Sequence, residues 1–120
     1  MDKLEKIFER QTALDEEITA LRHLEGISRE EWIQKDTLAI MAELGELISE
    51  VNFKWWKNPR PVEDAKVKEE LIDVLHFFIS MCARMGMDAD ELYEIYMGKN
   101  KENFDRQHGL SQKAGYKAGE

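Results

Sequence analysis

One cysteine, two prolines and seven glycines are spread over 120 residues, and no apolar run approaches the length of a bilayer. With Cys82 alone no intrachain disulfide can form, so the fold must rest on packing, and the chain suits a reducing, cytoplasmic setting. The prolines stand together at Pro59 and Pro61, which leaves the rest of the sequence free of helix breakers. Asn-Gly and Asp-Gly hairpin signals are missing, and apolar and polar residues nowhere alternate for long, which excludes a sheet-based fold. Basic residues are in deficit too. The net charge of -8 leaves no cationic surplus to neutralise a nucleic-acid backbone. Met1-Asp2-Lys3-Leu4-Glu5 is no signal peptide, so neither nucleic acid nor a membrane is expected as a partner. There is no glycine-rich phosphate loop, no Gly-x-Ser-x-Gly elbow and no base close to Cys82 in sequence, which removes support for a protein nucleophile.

What the chain does have is helical periodicity, and the fold class it predicts is all-α, an antiparallel four-helix bundle. The first helix is expected from about Asp2 to Leu24, ended by Gly26. Ser28-Arg29-Glu30-Glu31 reads as a capping box for a second helix running to about Trp56, where Asn58-Pro59-Arg60-Pro61 breaks it. The third, about Val62 to Met85, is apolar nearly all round after Asp73 and is stopped by Gly86. The fourth, capped by Asp88 with Glu91 at the box position, continues to about Gln107. Residues 1–108 make one domain, and 109–120, with three glycines, a flexible tail. The second and third helices are apolar on more than one face, which predicts a homodimer.

Glu43, Glu46 and Glu50 fall within an arc of about 60° on the second helix, beside Ile40, Leu44, Leu47, Ile48 and Val51. A solvated acidic face would lie opposite the apolar arc; this one borders it. The third helix repeats the pattern with Glu70 and Asp73, adjacent on one face. If the two helices are antiparallel neighbours, four or five carboxylates converge. Such a cluster cannot stay ionised without cations. The donors are all oxygen, which selects Mg²⁺ or Mn²⁺ over Zn²⁺, and Mg²⁺ commonly works with substrate phosphates. The bland alternative is ordinary surface ion pairing, Glu50 with Lys54 and Lys66 with Glu70.

On the fourth helix Leu92, Ile95, Tyr96, Lys99, Asn103 and Arg106 share one stripe, apolar early and cationic late. The late part suits polyphosphate oxygens, or simply emerges into solvent. Phe53-Lys54-Trp55-Trp56-Lys57 offers either a wall for a nucleobase or a hydrophobic plug.

Taken in order, Glu43-x-x-Glu46, Phe53-Lys54-Trp55-Trp56-Lys57, Glu70-x-x-Asp73-x-Leu75-His76-Phe77, Lys99-Asn100-x-x-Asn103-x-x-Arg106-Gln107 and Gly115-Tyr116 closely resemble the all-α dimeric dUTPases of the MazG-like nucleoside triphosphate pyrophosphatase superfamily. Gln11-x-x-Leu14-Asp15 is similar to that family's first-helix motif. The resemblance implies Mg²⁺-dependent hydrolysis of a deoxynucleoside triphosphate, dUTP, to dUMP and pyrophosphate. It implies that Glu43, Glu46, Glu70 and Asp73 hold metal, and that Glu43 or Glu46 also orients or deprotonates water. Lys99, Asn103 and Arg106 would bind phosphate; Gln11, Phe53 and Trp56 would line the base and sugar pocket; Tyr116 would belong to a tail closing over the ligand. Two departures bear on the base. The family's frequent glycine after the aspartate is Val74, and the helices that larger members insert before the Lys-Asn block are missing. The alternatives are therefore dCTP or a non-canonical nucleotide as substrate, and a non-enzymatic helical dimerisation module.

Overall fold

The computed structural model describes residues 1–116, and the last four residues of the expected tail lie outside them. The chain is all-α: α1 spans Lys3–Arg22, α2 Arg29–Ser49, α3 Asp64–Arg84 and α4 Ala89–Gln107. Three of the four starts are set by an acceptor side chain before the first turn. Asp2, Ser28 and Asp88 accept the amides of Glu5, Glu31 and Glu91 at 2.8, 3.2 and 2.8 Å, each satisfying a donor the helix itself cannot. Gly86 ends α3 as expected. At φ 77° it lets the Met87 amide return to the Cys82 carbonyl at 3.0 Å.

Two ends differ from the sequence expectation. α1 stops at Arg22 rather than Leu24, because His23 itself takes the left-handed conformation (φ 56°) and Gly26 is not needed. α2 stops at Ser49, well before Trp56. Asn52 is left-handed (φ 58°), and its side chain clamps the Arg60 backbone twice: Nδ2 donates to the carbonyl and Oδ1 accepts the amide, both at 2.8 Å. Asparagine tolerates that conformation, and its amide mimics a backbone pair, so the turn forms without waiting for proline. The Phe53–Lys57 segment is consequently a loop and not a helix face.

Met1–Met87 form one compact unit and the residues from Asp88 onward a second. In the first unit both α1 and α2 pack against α3. Ile79 and Ser80 on α3 are each only 2 % exposed, with Phe8 and Gln11 of α1 buried as well. α2 runs antiparallel to α3, as the Asp36–Arg84 ion pair at 3.2 Å and the Glu43–Glu70 approach both require. Leu38, Met41, Leu44 and Ile48 of α2 remain largely exposed, so within this unit α2 is covered on one side only.

The Asn52 clamp is testable. Asn52→Ala removes both bonds and leaves at positive φ a residue that tolerates it less well than asparagine, and should cost about 1–3 kcal/mol in urea unfolding. Asn52→Gly should recover the part due to φ.

Candidate active site

α2 and α3 bring Glu43, Glu46 and Glu70 together: one carboxylate oxygen from each lies within 4.8 Å of the others. Glu43 and Glu70 are half-buried, and their Oε2 atoms are shut away from solvent with no hydrogen-bond partner. Glu46 is exposed. Removal from water, the facing Glu43 carboxylate and the charge of Glu46 together push the Glu70 pKa up to about 7. Among the described residues no Lys or Arg pairs with any of the three. Lys66, one turn before Glu70, pairs with Glu63 at 2.9 Å instead, and no Glu50–Lys54 bridge is found among those residues. The ordinary ion-pairing alternative therefore does not account for the cluster. Asp73, a turn further on, is exposed; its charge adds to the pressure on Glu70, but its oxygens stand outside the close group. Three converging oxygens, two of them buried and orphaned, fit a hard divalent cation better than any protein partner present.

A second polar group sits further along α3. Gln11 Nε2 donates to Asp15 Oδ1 at 3.1 Å and to Ser80 Oγ at 3.0 Å, and Ser80 Oγ donates to Asp15 Oδ2 at 2.7 Å. Ser80 follows Asp73 by seven residues, so it lies on the same face of α3 about 10 Å on. Asp15 and Ser80 form part of the wall of a cavity of about 410 Å³, which also meets Thr12, Thr19, Glu25 and Arg84. Arg84 is held in place by Asp36 and by Trp32, whose ring its guanidinium overlies at 4.0 Å. Burial raises the Asp36 pKa, with Arg84 opposing it. Of this group the sequence singled out the Gln11-x-x-Leu14-Asp15 motif and gave a role to Gln11 alone. A lone hydroxyl, Ser80, in an otherwise apolar helical run was the available signal.

Other expected residues are not gathered here. Phe53 and Trp56 stand edge to face at 6.1 Å on the loop beyond the last turn of α2, whereas Gln11 meets Ser80 towards the other end of that helix pair. Phe53 lines a cleft with Ser49, Asn52 and Arg60, and Gln11 a separate one with Leu14, His76 and Ile79. Lys99, Asn103 and Arg106 lie on α4 in the second unit; Lys99 and Asn103 are exposed. Tyr116 reaches Arg106, its ring centroid 5.5 Å from the guanidinium carbon.

An all-α unit with an internal carboxylate cluster shared by two antiparallel helices is the class of protein that fold and site define. A family model described as dUTPase matches residues 3–85, most of the chain, and the chain belongs to that family. It is similar to a dCTP pyrophosphatase of Enterobacteria phage LZ5, 35% identical over 74 residues, which are 62% of this chain and 43% of the relative. It is also similar to a dCTP pyrophosphatase of Enterobacteria phage T4, 43% identical over 47 residues, or 39% of this chain and 28% of that one. A T4 DNA replication protein matches over 41 residues at 39% identity, 34% of this chain and 10% of the relative. The chain thus spans less than half the length of the curated relatives it matches. No solved structure matches it.

The raised Glu70 pKa has a direct consequence for stability. Its folded value lies above the ordinary 4.5, so forcing the charge destabilises the fold as pH rises from 4.5 to about 7 and fully above that. In the absence of divalent cations Glu70→Gln should raise Tm at about pH 8 and leave it unchanged at about pH 4, by thermal melts across that range.

Proposed function

We propose that this protein is a Mg²⁺-dependent nucleoside triphosphate pyrophosphatase, with Mn²⁺ able to substitute, that splits a pyrimidine deoxynucleoside triphosphate into its monophosphate and pyrophosphate. The observation that carries the reading is the pair of buried, partnerless carboxylate oxygens on Glu43 and Glu70, with Glu46 beside them. Glu43, Glu46 and Glu70, with Asp73 at the rim, would hold the metal, which when bound neutralises phosphate oxygens and acidifies water. Glu46, the exposed member, is the group free to orient a water and take its proton. The attacking water oxygen forms a new bond to phosphorus as the α–β phosphoanhydride breaks. Lys99, Asn103 and Arg106 on α4 would offer two cations and an amide, groups suited to phosphate oxygens.

Two bases are in contention. The family description favours dUTP. The geometry around Asp15 favours dCTP. Ser80, which holds Asp15, follows Asp73 by about two turns of α3, the helix that also carries Glu70. Both Asp15 oxygens already accept one bond each, yet a carboxylate has about four acceptor positions. A carboxylate there accepts a hydrogen bond from the exocyclic amine of cytosine and repels the corresponding oxygen of uracil. The names of two relatives, both dCTP pyrophosphatases, agree with that preference.

A homodimer belongs to the same reading. Leu38, Met41, Leu44 and Ile48 leave an apolar stripe on α2 around Gly45, where an added β-carbon would meet nothing within 4 Å. That stripe is the surface a second copy would cover.

Glu46→Gln should abolish pyrophosphate release in a coupled assay while the far-ultraviolet circular dichroism stays helical; near-wild-type turnover would remove the metal and base assignment. A panel of deoxynucleoside triphosphates with Mg²⁺ should place dCTP first by kcat/KM. Asp15→Asn should then lower kcat/KM for dCTP at least about tenfold and narrow or reverse its lead over dUTP. A panel in which dUTP leads, unaffected by Asp15→Asn, would restore the dUTPase reading.

A further inference from the structure

Residues 108–111 turn back on α4. His108 caps the helix, Gly109 takes φ 71°, and the Leu110 amide returns to the Asp105 carbonyl at 2.8 Å while the Gly109 amide reaches Arg106 at 3.2 Å. This paired closure reverses the backbone so that Ser111 comes back beside the last full turn of the helix. There its hydroxyl donates to Glu102 Oε1 at 2.5 Å, and the same oxygen accepts from Arg106 Nε at 3.2 Å. One carboxylate oxygen therefore joins the returning chain to the guanidinium.

The remaining contacts of Arg106 extend the arrangement. Its Nη1 donates to Asn103 Oδ1 at 3.3 Å, and the Tyr116 ring lies against it at 5.5 Å. A guanidinium only donates, so Asn103 must offer its oxygen, which leaves the Asn103 NH₂ free. Arg106 has five N–H groups, and two are used, one on Nε and one on Nη1. The two on Nη2 and the second on Nη1 are unengaged within this group. What Glu102 and Asn103 restrain is the inner edge of the guanidinium, and what they leave is a forked donor edge next to a free amide. That donor set matches the oxygens of a phosphate. Glu102 and Arg106 are both partly buried by this fold-back, and the Ser111 and Arg106 bonds hold the Glu102 carboxyl below its ordinary pKa, so the anchor is an ionised one.

We propose that Glu102 and Ser111 are positioning residues for Arg106: Ser111 fixes the Glu102 carboxylate, which in turn fixes the guanidinium so that its free fork and the Asn103 amide present one anion-binding edge to a phosphate or pyrophosphate group. The proposal rests on the phosphate role given to Arg106 above. Ser111 acts here through Glu102 and the arginine.

The test uses the full chain with Mg²⁺, steady-state kinetics on the best substrate of the panel, and inhibition by inorganic pyrophosphate. Arg106→Ala should raise KM and weaken pyrophosphate inhibition. Ser111→Ala and Glu102→Gln should each move both constants in the same direction by about tenfold, the value of one bond to a charged group, with kcat within about twofold. Ser111→Thr, which keeps the hydroxyl, should restore both constants. Unchanged constants in Arg106→Ala would defeat the phosphate reading of Arg106 and the proposal with it. An effect in Arg106→Ala without one in Ser111→Ala and Glu102→Gln would overturn the positioning role alone. So would a fall in KM in Glu102→Gln, since that would mean the carboxylate competes with phosphate instead of aiming the arginine. A lower Tm with unchanged KM and inhibition would assign the contact to helix stability and equally overturn it.

Discussion

Two carboxylates facing each other across a helix pair are the constraint on which the first unit depends. Packing α2 against α3 draws Glu43 and Glu70 out of water and sets them within reach of Glu46, with no cation among the described residues paired to them. Like charges in a poorly hydrated site hold one proton between them or require a metal; Glu70 shows this as a pKa near 7. A protein gains nothing in stability from such a site. Its presence at the α2–α3 contact, where apolar side chains would pack without penalty, is what the proposed metal role explains.

Polar groups recur along α3, at its contacts with both α2 and α1. Asp36 with Arg84, and Gln11 with Asp15 and Ser80, are satisfied internally, in contrast to the acids. The difference separates a framework from a site. Satisfied polar groups fix the register of α1 and α2 on α3 and hold the cavity wall in place, while the unsatisfied ones wait for a ligand. The proposed preference for an amino-pyrimidine uses the edge of that framework, where a carboxylate is held rigidly by two donors and still has acceptor capacity.

α4 solves a different problem. A guanidinium on a solvent-facing helix has many rotamers and loses that freedom when it binds an anion. Returning the chain through Gly109 and Ser111 limits the freedom beforehand, with Glu102 as the hinge of the arrangement. Stripes of charge on a helix are usually solvated faces. The bonds around Arg106 are what distinguish this one.

The helical class, three of the helix starts and the two acid pairs, Glu43-x-x-Glu46 and Glu70-x-x-Asp73, are legible in the sequence by itself. These depend on local periodicity, cap chemistry and i,i+3 spacing, all of which are written within a few residues of each other. The convergence of acids from the two pairs depends instead on the helices being antiparallel neighbours. The sequence also carried the family resemblance that the dUTPase family match supports. Only the tertiary structure decided that α2 ends at Ser49, because the Asn52 clamp closes on Arg60, eight residues away. Only it separated Phe53 and Trp56 from Gln11, left Asp73 at the rim of the acid group, and joined Asp15 to Ser80 across 65 residues of chain. Such contacts have no sequence period. They are fixed by which faces α1 and α2 turn toward α3, and a helical pattern gives a face without naming its partner.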